Sequence, residues 1–475
     1  MLDENVLYLP VRHLAERIRT RQVSPVELAQ SYLARSEQWN PRLNAYVTLT
    51  RDLAMEQARA AEKEIAAGKY RGPLHGIPYA AKDLLAAKGY PTTWGAPPYA
   101  AQRFDYDAAV IERLQHAGAV LIGKAAMIEL AGGLGYESGY ASLTGPCRNP
   151  WNTKYWTCGS SSGSGAIVAA GLAAFALGSD TRGSIICPST HCGISGMRPS
   201  FGRVSRYGAM AIAWSMDKIG PMCRTADDCG LVLEAIAGSD PRDRGSLAPP
   251  LAAFAYAGTQ PSERPLRIAR LTNVFPRADR GLHDAADRAL RVLEQHGAQI
   301  SDAEIPQGPF EEAAELVILM EAASAFSDTI DSGRAAQLAD PLGRINGYAS
   351  REFSAQDHLH VQRVRLVLQE SIDSLFDRFD VISAPGEGDT ADELQPPEGA
   401  SPPDDDGEPI DSLQPDAISS LCGLPAVTVP CGFDKNRMPV GIQFMARARN
   451  DQAVLSAANL LQAHTDWHSR HPALT

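Results

Sequence analysis

Residues 158–165 read Cys-Gly-Ser-Ser-Ser-Gly-Ser-Gly and run straight into an apolar segment, Ala166 to Gly178; a second glycine–serine turn, Gly183-Ser184, follows. A Gly/Ser linker is slack because nothing anchors it, whereas this turn opens onto 13 residues that must be buried. The apolar run is also well short of the roughly 20 residues that cross a bilayer. The pattern predicts a buried helix over 163–177 with a serine turn at each end. Ser160 and Ser184 then stand 24 residues apart in sequence and close in space.

The rest of the chain reads as an α/β protein. Ser24-Pro25-Val26-Glu27 combines a capping hydroxyl, a proline at the first helical position and an acid at the third, and predicts a helix to about Gln38. A second helix is expected over 51–67. In 73–85, Pro-Leu-His-Gly-Ile-Pro-Tyr-Ala-Ala-Lys-Asp-Leu-Leu, proline and glycine punctuate a short apolar strand ending at Lys82. Residues 108–127 read as helix, glycine stop and buried strand. Strands at 265–275, 298–306 and 379–385, with a helix over 281–295, repeat that rhythm. No internal repeat or interdomain linker interrupts the 475 residues.

Charge excludes several functions. The net charge is −12, but residues 386–416 hold 11 acidic residues and no Lys or Arg, leaving the remainder close to neutral. A near-neutral body with one acidic, proline-rich excursion has no broad basic face for nucleic acid or anionic membranes. The N-terminal segment carries acidic residues where an export signal is basic, so a cytoplasmic protein is expected. Eight cysteines without a C-x-x-C pair predict reduced, mostly buried thiols. His358 and His360 could share one face of a strand, but no zinc-binding pattern accompanies them.

The serine turns admit several chemistries. A glycine-rich turn before a helix can cradle phosphate, yet neither Gly-Lys-Ser/Thr nor G-x-G-x-x-G is present. Gly159-Ser160-Ser161-Ser162-Gly163 fits the G-x-S-x-G elbow, with Ser161 as nucleophile, but the preceding Arg148–Thr157 stretch is polar and proline-broken rather than a buried strand. The alternative uses both turns. A serine nucleophile needs a base, a second hydroxyl can relay its proton, and a lysine whose pKa is lowered by burial can receive it. Lys82 is the candidate base.

At these residues the sequence resembles the amidase signature family. The matching segments are 73–85, Gly145–Asn152, 158–165, 177–205 and Met216–Cys229, with weaker echoes near 36–47 and 422–444. The resemblance implies a single α/β domain over 1–475, a twisted mixed β-sheet flanked by helices on both faces. Within it, 1–69 would be a helical N-terminal part, 70–235 the catalytic core, and 236–475 the substrate-shaping and C-terminal part with the acidic loop 386–416. It implies Lys82 as base, Ser160 as relay after a cis peptide bond, and Ser184 as the acylated nucleophile. Thr181, Arg182, Gly183 and Ser184 would form the oxyanion hole, and Ala131 and Gly132 part of the substrate wall. No metal or cofactor is required.

Cys158, Ser162 and Arg182 stand where the family usually has glycine. Arg182 could narrow the pocket, pair with Asp180 or meet an acidic substrate. The resemblance implies an amidase acting on a small-molecule amide, aryl amide, carbamate or ester, without nucleic acid or membrane, and leaves a homodimer open. The alternative is the glutamine-hydrolysing subunit of a tRNA-dependent amidotransferase. Such subunits typically carry Asp-Glu-Phe after the K-x-x-M strand and a basic Lys-Arg-Arg stretch later, where this chain has Met127-Ile128-Glu129-Leu130 and Asp340–Phe353, so the sequence alone places this reading second. A non-catalytic binding protein is third.

Overall fold

The computed structural model describes residues 1–259, 264–275, 278, 280–394 and 414–474. Most of the acidic excursion expected at 386–416 lies outside these residues. The strands are β1 (Tyr46–Leu49), β2 (Pro78–Lys82), β3 (Val120–Ala125), β4 (Arg148–Asn149), β5 (Asn152–Trp156), β6 (Phe175–Asp180), β7 (Ser195–Arg198), β8 (Lys218–Cys223), β9 (Arg267–Leu271), β10 (Gln299–Ala303), β11 (Val381–Pro385), β12 (Ala426–Phe433) and β13 (Pro439–Met445). Eleven of them form one sheet in the order β1-β3-β2-β6-β8-β7-β12-β13-β11-β9-β10, while β4 and β5 pair separately. The sheet is mixed: β3-β2-β6 and β11-β9-β10 are parallel, and the remaining pairings are antiparallel.

Both faces of the sheet are covered. Successive residues of a strand point to opposite faces, and in the C-terminal half they enter two different apolar clusters. Ile268, Val381, Val427 and Phe444 join the larger one, whereas their neighbours Ala269, Ile382, Ala426 and Met445 join the second. One domain with a large mixed sheet between helices is the fold expected above.

Local sequence explains the elements near the site. The Ser24 hydroxyl accepts the N–H groups of Val26 and Glu27 and starts the helix Pro25–Leu43, which continues past Gln38 until Asn44 turns left-handed. The expected helix over 163–177 is corrected. Only Ser162–Ala169 is helical, Gly171 takes φ +63°, and β6 begins at Phe175. An unbroken apolar run has no periodicity to separate buried helix from buried strand, and Gly171 supplies the break. His358 and His360 lie on the helix Ala355–Asp373, where residues two apart do not share a face.

Because β2 and β6 are parallel neighbours, Lys82 at the end of one and Asp180 at the end of the other reach the same edge of the sheet. The helix Ser162–Ala169 returns the chain between them, so the turn before it and the turn after β6 meet. Ligands of open α/β sheets bind at such carboxyl ends.

Candidate active site

Lys82 is fully buried, and its Nζ donates to Ser160 Oγ at 2.8 Å and to Ser179 Oγ at 2.9 Å. Lys124, also buried, has the Asp83 carboxylate at 2.8 Å, whereas both hydrogen-bond partners of Lys82 are neutral hydroxyls. Burial therefore lowers the Lys82 pKa to about 7, with Asp180 and Asp217 opposing it. An amine so placed exists in both protonation states near neutrality, as a proton-transfer group requires.

Ser160 follows a cis peptide bond from Gly159, as the resemblance implied. Its neighbour Ser161 is held differently: the Ser161 hydroxyl donates to the Ser179 carbonyl at 3.1 Å and accepts the Ser179 N–H at 3.3 Å. Lys82 thus engages Ser160, and Ser161 knits its turn to β6. The turns are joined directly, since the Ser161 N–H donates to the Ser184 carbonyl at 3.3 Å. The Ser184 hydroxyl has no hydrogen-bond partner among the described residues and faces a cavity of about 370 Å³.

Two buried acids hold the loop 181–184. The Asp180 carboxylate accepts the N–H groups of Gly183 at 2.9 Å and Ile185 at 2.8 Å, and Arg198 pairs with it at 3.2 Å. Burial alone would raise the Asp180 carboxyl, but the Arg198 guanidinium beside it holds it below its usual range. Asp217 accepts the Thr181 hydroxyl at 2.7 Å and the N–H groups of Ile212 and Ala213, tying the loop to the opposite wall. Gly183 has φ +84°, and a Cβ there would lie 2.8 Å from Asp416 Oδ2, so glycine is required on both counts. Behind it, burial pushes Asp416 up to about 6 and Glu387 well above its ordinary value.

Of the four expected oxyanion-hole residues, Gly183 has its N–H engaged by Asp180. The N–H groups of Thr181, Arg182 and Ser184 have no acceptor among the described residues. The Arg182 side chain does not pair with Asp180. Its Nη1 lies 2.7 Å from Glu315 Oε2 on the helix Phe310–Ala325.

Ala131 and Gly132, expected as wall residues, line the cavity with Ser184, as do Glu315, Leu342 and Asn346. The two departures from the usual pattern of amidotransferase subunits contact each other: the buried Glu129 carboxylate accepts the N–H groups of Ala339 and Asp340 at 2.8 Å each.

Sequence reasoning missed Ser179, whose role depends on the pairing of β2 with β6. It also missed a bond. Cys158 and Cys187, expected as reduced thiols, form a disulfide linking the residue before Gly159 to the helix after Ser184. Cys158 adopts φ +64°, the backbone state that explains glycine as the usual residue there. The grouping of potential metal ligands found among the described residues, Cys158, Cys187 and His191, contains these joined sulfurs.

Comparison with known proteins places these features. The Amidase family model matches residues 27–455. A glutamyl-tRNA(Gln) amidotransferase subunit from Cupriavidus metallidurans is 35% identical over 502 residues, covering 98% of each chain. The solved peptide amidase bound to the competitive inhibitor chymostatin superposes with a TM-score of 0.86 at 30% identity, covering 98% of this chain and 99% of its own. The corresponding glutamyl-tRNA(Gln) amidotransferase subunit from Thermotoga maritima superposes with a TM-score of 0.79 at 25% identity, covering 100% and 99%.

The names of these relatives overturn the expected partner set of a small-molecule amide with no nucleic acid, and they favour the reading that the sequence placed second. No helix among the described residues is long and apolar enough to cross a membrane. From its fold, the buried lysine and serine turns, and matches along its whole length, the chain belongs to the amidase signature family and is an amidase, a hydrolase of amide C–N bonds.

Proposed function

We infer that the chain is the amide-hydrolysing subunit of a tRNA-dependent amidotransferase, releasing ammonia from glutamine through an acyl-enzyme on Ser184. The end-to-end match to relatives named as glutamyl-tRNA(Gln) amidotransferase subunits supports this reading. A cytoplasmic setting fits this reading. Of the departures at 128–130 and 340–353, Leu342 and Asn346 line the cavity, and the lysine and both serine turns are unchanged.

The observation that carries the chemistry is Lys82 held against Ser160 with a pKa near 7. In its neutral form the amine accepts the Ser160 proton while Ser160 accepts that of Ser184. Ser184 Oγ then bonds to the carboxamide carbon. The carbonyl oxygen takes up the electron pair and faces the N–H groups of Thr181, Arg182 and Ser184, each such donor being worth about 10²- to 10³-fold in rate. As the tetrahedral centre collapses, the C–N bond breaks, Ser160 protonates the departing nitrogen, and the Lys82 ammonium restores the Ser160 proton. Water, deprotonated by the same relay, attacks the acyl carbon and frees the acid and Ser184.

The test is ammonia release from glutamine, together with capture of the tagged chain from its own cells and identification of co-purifying protein and tRNA. Glutamine turnover with stoichiometric partner proteins is expected. A chain that purifies alone and cleaves anilides or peptide amides while ignoring glutamine would contradict the amidotransferase reading.

A further inference from the structure

The paired Arg182 and Glu315 both line the cavity that Ser184 lines, and these are the two charged side chains among its described lining residues. Around them the wall is neutral, built from Ala131, Gly132, Ile212 and Leu342 with the Asn346 amide. The pair is partly open to solvent, with side-chain exposures of 29% and 52%. Ion pairs so exposed contribute at most about 1 kcal/mol, so a charged ligand displaces one partner from the other at small cost. Arg182 is further steadied by Gln414, whose Oε1 lies 3.5 Å from Nη2.

We propose that Arg182 and Glu315 read the charged end of the substrate: the guanidinium takes a carboxylate, and the Glu315 carboxylate takes an ammonium group, of an amide whose carbonyl lies in the oxyanion loop. An α-amino acid with a side-chain carboxamide replaces each partner of the resting pair with a group of the same sign, so neither side chain is left unpaired. One residue serves both ends of such a substrate, because Arg182 offers its backbone N–H to the carbonyl and its guanidinium to the carboxylate. The planar guanidinium fork suits a carboxylate better than a lysine ammonium does. Glutamine as the preferred amide rests on the amidotransferase reading, whereas selection of a carboxylate by Arg182 does not.

The experiment compares kcat/KM for glutamine, glutaramate, which lacks the ammonium, and pentanamide, which lacks both charges. The proteins are the wild type, Arg182→Gln, Arg182→Lys and Glu315→Gln. Ratios between substrates cancel any general loss of activity. Arg182→Gln is expected to lower the glutaramate-to-pentanamide ratio by at least about 10-fold, the size of a charge-assisted hydrogen bond, with partial recovery in Arg182→Lys. Glu315→Gln is expected to lower the glutamine-to-glutaramate ratio by a similar factor. Where turnover is too slow to rank, protection of Ser184 from a fluorophosphonate by the same three amides supplies the ratios. Unchanged ratios in the variants would reduce the pair to a structural strap and overturn the proposal. A wild type that ignores glutamine, yet loses its glutaramate preference in Arg182→Gln, would sink the amidotransferase reading and leave Arg182 as the carboxylate reader.

Discussion

Asp180 and Arg198 form a fully buried ion pair at 3.2 Å directly beneath the loop that carries Ser184. The acid reaches forward along its own chain to the N–H groups of Gly183 and Ile185, so the charge that neutralises Arg198 also shapes the loop. Removing one partner of a buried pair costs about 3–5 kcal/mol when the other charge is left unpaired, and without Asp180 the Arg198 guanidinium keeps, among the described residues, only the Asp416 carboxylate, at 3.9 Å. Asp180→Ala should lower unfolding stability by that order and abolish turnover, whereas Asp180→Asn, which keeps an acceptor, should lose less. Urea unfolding measures both. A loss below about 1 kcal/mol in Asp180→Ala would show that the loop is held by other contacts.

Lys82 sets the pH dependence. Its folded pKa is about 7, and only the neutral amine accepts a proton, so kcat/KM should rise with pH through about 7 and level off above it. Stability follows the same sign. Between about 7 and the ordinary lysine value of 10.5 the unfolded chain binds the extra proton, so the contribution of this group to stability rises with pH across that window. Lys82→Met should flatten both profiles, as a rate series and denaturant titrations at several pH values would show. An activity profile that stays level from pH 5 to 9 would place the base elsewhere.

The adjacent serines should separate cleanly. Ser161→Ala removes two bonds to the Ser179 backbone, a loss of roughly 1 kcal/mol of stability each, and should keep activity within about 10-fold. Ser160→Ala breaks the path to Lys82 and should lower kcat by about 10²- to 10⁴-fold. Steady-state kinetics on both variants decides, and the reverse order would restore the elbow reading.

The disulfide predicts a thiol count. Under denaturing, non-reducing conditions six free thiols should titrate, rising to eight after reduction. Reduction should lower stability by about 2–4 kcal/mol, and Cys187→Ser should show no such sensitivity. Eight thiols before reduction would mean that the bond is absent from the purified protein.

What could be read from the sequence was what local chemistry dictates. Ser24 announced its helix, proline and glycine preceded the strand that ends at Lys82, and the order of motifs identified the serine turns. The apolar run 166–178 misled because an all-apolar segment has no polar face, and the split between helix and β6 rests on Gly171 alone. Ser179 met Lys82 only through sheet pairing that no single segment encodes. Glu315, Leu342 and Asn346 entered the cavity wall from helices far along the chain, so the pocket was the least legible part. Cys158 and Cys187 were each visible at a serine turn, yet their bond needed the two turns to be recognised as neighbours in space.

Trapping the acyl-enzyme tests the central claim most directly. Incubation with a fluorophosphonate, followed by peptide mapping, should place one adduct on Ser184 in the wild type. Labelling should slow sharply in Lys82→Ala and vanish in Ser184→Ala. An adduct on Ser161, or undiminished labelling without Ser184, would contradict a nucleophile served by Ser160 and Lys82.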